Sequence, residues 1–183
     1  MLEESNKPFR RMNHLKISLF FALFILAGIR IASGQSYQKD TAAIRELIAQ
    51  TERYKKAFLQ DDVETAIAMT HPELIEKMGG VDNMRESFMK GKAMREEYKM
   101  QYTDLTYTVP DAVLIHDKNI QVAFPMEITI HFEDNTTSKD RRIMIASFDA
   151  AASVWHFLSF PPKDKGKLKA ALQYLDAGLV IPD

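Results

Sequence analysis

"IQVAFPMEITIHFE", from Ile120 to Glu133, alternates along its whole length: Ile120, Val122, Phe124, Met126, Ile128, Ile130 and Phe132 are apolar, and the residues between them are mostly polar. A period of two sends successive side chains to opposite faces, so this is a long strand with one apolar side. Pro125 lacks the N–H that a ladder needs, which asks for an edge, a kink or a bulge at that point. Asp134-Asn135-Thr136-Thr137 reads as a hairpin turn. The return strand "KDRRIMIASFD" carries Ile143 and Ile145 on one face and Met144, Ala146 and Phe148 on the other. Both faces of the sheet are therefore partly covered in mid-strand. "SVWHFLSF" makes the last strand, ended by Pro161-Pro162.

Upstream, the alternation reaches back to Tyr98, with one change of phase. Tyr98, Met100 and Tyr102 share a face, whereas Leu105, Tyr107 and Val109 have the opposite parity. One extra residue near Thr103-Asp104 produces such a slip, so a bulge or sharp bend is expected there. Pro110-Asp111 interrupts the strand, "AVLIH" resumes it, and Asp117-Lys118-Asn119 forms a turn.

Before Tyr98 the period is helical. "TAAIRELIAQTERYKKAFLQ" places Ile44, Leu47, Ile48, Tyr54 and Phe58 on one stripe, with Asp40 or Thr41 as its cap. "DVETAIAMT" gives a second short helix, and "PELIEKMGG" a third piece, opened by Pro72 with Thr70 or His71 as cap. Gly79 and Gly80 end it. A further helix runs from Val81 through Met84 and Phe88, with Gly91 weakening its middle. Helices first and antiparallel strands afterwards is an α+β order, not βαβ.

Residues 1–34 read differently. Lys7, Arg10, Arg11 and Lys16 precede the uncharged run "ISLFFALFILAGI" (residues 17–29), and "RIASG" follows. A basic head, a short apolar middle and small residues at the end form the pattern of a secretory signal, with cleavage expected before Gln35. That implies an exported, periplasmic or extracellular protein; retention of residues 17–29 as an anchor is the alternative and the one route to a membrane. The division expected is 1–34 signal, 35–162 α+β domain and 163–183 a tail with one short helix that needs docking to persist. The chain has no cysteine, which removes disulfides, zinc–thiolate sites and thiol nucleophiles. With a formal net charge of -1, nothing global advertises nucleic acid, and "KDKGKLK" (Lys163–Lys169) reads as a solvated helix start.

The long first helix at 41–60, the broken "DDVETAIAMTHPELIEKMGG", the helix after it and the long strands ending in "VWHFLSF" resemble the nuclear-transport-factor-2-like superfamily. That superfamily has a cone-shaped α+β fold and includes ketosteroid isomerase and the polyketide-cyclase-like proteins. The resemblance covers roughly residues 38–160. It implies N-terminal helices packed on a strongly curved, mostly antiparallel sheet whose concavity is a core or a pocket, and a homodimer formed by pairing sheets back to back. The role it implies is non-catalytic binding of a small apolar ligand or a protein partner. The alternatives are an isomerase, dehydratase or cyclase acting in the cone, and a membrane-anchored envelope interaction domain.

No residue set presents itself as a catalyst; the candidates are Tyr54, His71, Asp104 and His131. His71 sits at a helix break, where it could act as a base or simply cap the next helix. Glu127, Thr129 and His131 share one strand face, but Glu127 and His131 lie roughly 13 Å apart at about 3.3 Å per residue, too far for a dyad. His116, His131 and His156, with Glu127 or Asp149, have no metal-ligand spacing, so no metal and no cofactor is expected. Tyr54 and Tyr102 with Asp104 and Asp149 are the residue types of a steroid-isomerase-like site, and ketosteroid isomerase places its tyrosine on the first helix. The residues around Tyr54 do not reproduce that motif. Trp155, Phe157, Phe160, Phe124 and Phe132 either floor a ligand pocket or form the core.

Overall fold

Asp40 starts the first helix: its carboxylate accepts hydrogen bonds from the Ala42 and Ala43 amides, both at 3.0 Å. In the computed structural model, which describes residues 36–182 apart from Val109, helix α1 spans Thr41–Leu59 and buries Leu47, Thr51, Tyr54 and Ala57 at helical spacing. The signal-like residues 1–34, their apolar run 17–29 and the expected cleavage before Gln35 lie outside the described residues, as does Val109. Among the described residues no helix is long and apolar enough to cross a membrane.

Asp62 caps α2 (Val63–Ala68) by accepting from the Thr65 amide, and His71 caps α3 (Pro72–Lys77). Gly79 and Gly80 then turn the chain into α4 (Val81–Glu97) with φ of +87° and +101°. Gly80 combines its positive φ with ψ of 177°, a region that side-chain-bearing residues avoid. Gly80→Ala is expected to cost about 1–2 kcal/mol, read as a lower urea midpoint with an unchanged slope.

The strands are β1 (Ser36–Gln38), β2 (Met100–Tyr107), β3 (Val113–His116), β4 (Asn119–Phe132), β5 (Thr137–Asp149) and β6 (Val154–Phe160). They form one antiparallel sheet in the order β1-β3-β4-β5-β6, with β2 also on β4. The phase slip is a register shift between Tyr102 and Asp104, where Tyr102 faces Ile130 and Asp104 faces Thr129. Pro125 lies inside this central strand. It falls where pairing with β3, which reaches Gln121, gives way to pairing with β2, which begins at Met126. Its carbonyl points toward that junction and accepts from the Thr108 amide at 3.2 Å. A strand residue's N–H and C=O leave on the same side, so the missing donor falls in the gap between the two partner strands.

The α+β class stands, but the cone does not. The sheet is open, since β1 and β6 at its two ends do not pair with each other, and it is not strongly curved. The outer edge of β6 meets the corner after α2 instead: the Phe157 amide donates to the Met69 carbonyl at 2.7 Å, in a parallel bridge with Thr70. The space between helices and sheet is filled. Leu47, Tyr54 and Met69 pack there on Leu105, Val122, Phe124, Met126, Ile128, Trp155 and Phe157. The Tyr54 ring lies 5.2 Å from that of Phe157, and Phe58 stacks on Tyr102 at 4.9 Å. A cavity of about 30 Å³ beside Ala57 and Phe88 has room for little more than a water molecule. Alternation shows which residues face the helices, but closure depends on what covers the other face, and that comes from the tail.

Beyond β6, a 3₁₀ turn (Pro162–Asp164) leads into α5 (Lys165–Ala171), and the chain then crosses the outer face of the sheet. Leu172, Leu175 and Leu179 are buried there against Leu114, Ile143, Ile145 and Phe160. Each such leucine contributes about 1.5–3 kcal/mol of burial. The apolar part of the outer face, where a back-to-back dimer would form, is thus covered by the chain's own C-terminal segment.

Candidate functional site

One polar row crosses this outer face. Register places Gln121 of β4 opposite Ser147 of β5, and Ser147 opposite His156 of β6. Asp149 lies two residues on from Ser147, on the same face. Gln121 is 2% exposed and His156 9%. The row sits beside the leucine cluster and opens into a cleft of about 410 Å³, walled also by His71, Lys118, Asn119 and Tyr174.

Three elements build the walls. Because β6 pairs with the Met69–Thr70 corner, His71 is held at the start of α3 beside β6. Its Nδ1 accepts from the Glu73 amide at 3.2 Å, so the neutral ring carries its proton on Nε2. The ring stacks on Tyr174 with centroids 3.5 Å apart and meets His156 edge-on at 5.6 Å. The tail is fixed through its backbone. Glu73 accepts from the Gln173 and Tyr174 amides, each at 3.0 Å, while Gln121 donates to the Tyr174 carbonyl at 2.6 Å and accepts from the Asp176 amide at 2.9 Å. His116 Nδ1 donates to the Asp176 carboxylate at 2.5 Å.

Both cleft histidines are biased toward the neutral form. Burial, reinforced by His156, lowers His71 from its ordinary 6.5 to about 4, against the opposing pull of Glu73 and Asp149. Burial also lowers His156, against Asp149 and the Thr70 carbonyl. The two amide bonds and Lys77 hold the Glu73 carboxyl below the usual range, despite partial desolvation. At neutral pH the cleft therefore offers uncharged imidazoles, a hydroxyl and amides, with one cation (Lys118) and one anion (Asp149). His156 Nδ1 is fully buried and has no hydrogen-bond partner within the chain.

That last feature limits the chemistry. Ser147, His156 and Asp149 are the residue types of a nucleophilic triad on one face, but a triad needs its carboxylate on the imidazole. Here Asp149 accepts from the Ala151 and Ala152 amides of the following turn, and Ser147 Oγ accepts from Gln121 at 3.4 Å. Among the described residues no group of three or more His, Asp or Glu side chains is arranged to hold a metal ion.

The residues singled out from sequence are scattered. Tyr54 is in the core between α1 and the sheet; burial raises its pKa, against a hydrogen bond with Ser159. Asp104 is half-buried at the bulge, 3.0 Å from Lys55 and accepting from the Leu105 amide. Tyr102 stacks on Phe58, with the Arg95 guanidinium over its ring. His131 lines a separate, shallow groove with Lys99 and Glu133 at the far end of β4. Glu127 pairs with Lys139 at 2.6 Å. Only His71 of the four candidates borders the polar cleft, together with His156 and Asp149 from the wider set. Gln121, Ser147 and Tyr174 were not singled out. For Gln121 and Ser147 the signal was parity, polar residues on the strand faces that carry Ile143, Ile145 and Leu158 in neighbouring positions; Tyr174, on no strand, had none.

The chain matches no family model, no curated protein and no solved structure. With the open sheet and filled interior, the resemblance to the nuclear-transport-factor-2-like superfamily is withdrawn, and with it binding or isomerisation of an apolar molecule in a cone. The comparisons give no support to a secreted, periplasmic or dimeric character.

Proposed function

We propose that the chain binds a compact, polar, uncharged molecule in the outer-face cleft between β4–β6, α3 and the C-terminal segment. The observation that carries this reading is the convergence of polar side chains on one cleft, with Gln121, Ser147 and His156 in a single row and His71 and Asn119 beside them. The volume of about 410 Å³ is of the size that small-molecule sites occupy, about 300–1,000 Å³. Two imidazoles biased toward neutrality, with Lys118 and Asp149 offsetting each other in charge, favour a ligand of no net charge.

The test is a thermal-shift and ligand-observed NMR screen of the full chain with uncharged polyols and amides, alongside carboxylic acids and amines of matching size. A neutral ligand at about 100 times its Kd stabilises the chain by about 2.7 kcal/mol, and His156→Phe abolishes the shift. Hits confined to acids or amines, or hits that persist in His156→Phe, would refute the proposal.

A further inference from the structure

We infer that the outer sheet face is a peptide-binding groove, filled in cis by the chain's own residues 172–181, and that a segment of the same chemistry supplied in trans can replace it. The inference does not depend on what occupies the polar cleft.

The way the segment is held carries the argument. After Ala171 the described chain has no helix or strand of its own. Most of its fixed points are main-chain atoms met by side chains of the body, and two are side chains, the Tyr174 ring stacked on His71 and the Asp176 carboxylate on His116. Glu73 takes the amides of residues 173 and 174, Gln121 takes the carbonyl of 174 and the amide of 176, and the Tyr37 hydroxyl accepts from the amide of 180 at 2.7 Å. Groups that read backbone are indifferent to the side chains carried, as when an added strand is recognised through its main chain.

Selectivity falls to three leucine anchors, joined by the Tyr174 ring and the Asp176 carboxylate. Leu172, Leu175 and Leu179 are buried, while Gln173 and Ala177 between them and Val180 beyond them are exposed. The groove therefore selects leucine at i, i+3 and i+7. Its floor, Leu114, Ile143, Ile145 and Phe160, belongs to strands held by their own ladders. Tethering gives the cis segment an effective concentration on the order of millimolar, so a trans peptide competes only when the cis copy is weakened.

The experiment uses the full chain and a fluorescein-labelled peptide of residues 171–183. In a Leu175→Ala/Leu179→Ala chain that keeps its native circular dichroism, the peptide is expected to bind at least about tenfold tighter than in the unaltered chain. Adding Glu73→Gln to that variant, or replacing the peptide's leucines by serine, is expected to weaken binding about tenfold. Should the double variant lose its fold, Leu179→Ala alone serves the same comparison. No gain in peptide binding by a folded, tail-weakened chain overturns the inference. So does equal binding of the serine peptide.

Discussion

Replacing Gln121 by leucine is expected to lower the stability of the chain by roughly 2–5 kcal/mol, although leucine is similar in size and more apolar. Gln121 is buried and uses both ends of its amide on the C-terminal segment. Leucine would leave the Tyr174 carbonyl and the Asp176 amide without these partners where water is scarce, at about 1–3 kcal/mol each. Burying leucine returns about 1.5–3 kcal/mol, which offsets only part of this and leaves the net loss toward the lower end of the expected range. Gln121→Glu keeps the acceptor for Asp176 but sets a buried carboxylate against the Tyr174 carbonyl, so a loss at least as large as that of leucine is expected. Urea unfolding at pH 7 measures both. Amide hydrogen exchange should show the increase concentrated at residues 173–180. A Gln121→Leu chain within 0.5 kcal/mol of the parent, a difference of about the size expected at an uninvolved surface position, would mean that the clamp is not holding the tail.

What could be read beforehand follows from which interactions are local. The caps at Asp40, Asp62 and His71, the positive φ at Gly79 and Gly80, and the bulge after Tyr102 all announce themselves within a few residues. The turn at Asp134–Thr137 fixes the β4–β5 register, and with it the pairing of Gln121 and Ser147, so half of the polar row was accessible from parity. The rest depended on contacts of long sequence separation. Gln121 meets residues 174 and 176, and Glu73 meets 173 and 174; no periodicity encodes such pairs. The cone was inferred from element order, which is the same for a curved sheet with one covered face and for an open sheet covered on both. Leu168, Leu172 and Leu175 looked like one helical stripe, yet the helix stops at Ala171 because the next leucines are used on the sheet. Tyr54 shows the converse error: a tyrosine on the first helix suggested a site, and it is packed as core.

The chain is expected to lose stability as pH falls from 6.5 toward 4, before most carboxylates titrate. His71 has its folded pKa lowered to about 4 from 6.5. Between those values the unfolded chain binds the proton and the folded chain does not, so stability is full above pH 6.5 and declines on acidification. A shift of that size corresponds to roughly 3 kcal/mol; since the ring is only partly buried, about 2 kcal/mol is the expected loss after screening. His156 is shifted in the same direction and adds to the slope. The charged groups acting on the pair are Glu73 and Asp149, and both oppose the shift, so burial sets the sign. Protonation at Nδ1 would also remove the acceptor that caps α3 and set a positive charge against the Tyr174 ring, where cation–π attraction returns only part of the loss. Asparagine caps helices well and does not titrate here, so His71→Asn should keep the pH 7 stability within about 1 kcal/mol and flatten the decline between pH 6.5 and 5. Urea midpoints at half-unit pH steps give the comparison. An unchanged slope in His71→Asn would place the proton uptake on other groups, and a stability that rises toward pH 5 would contradict the burial of both rings.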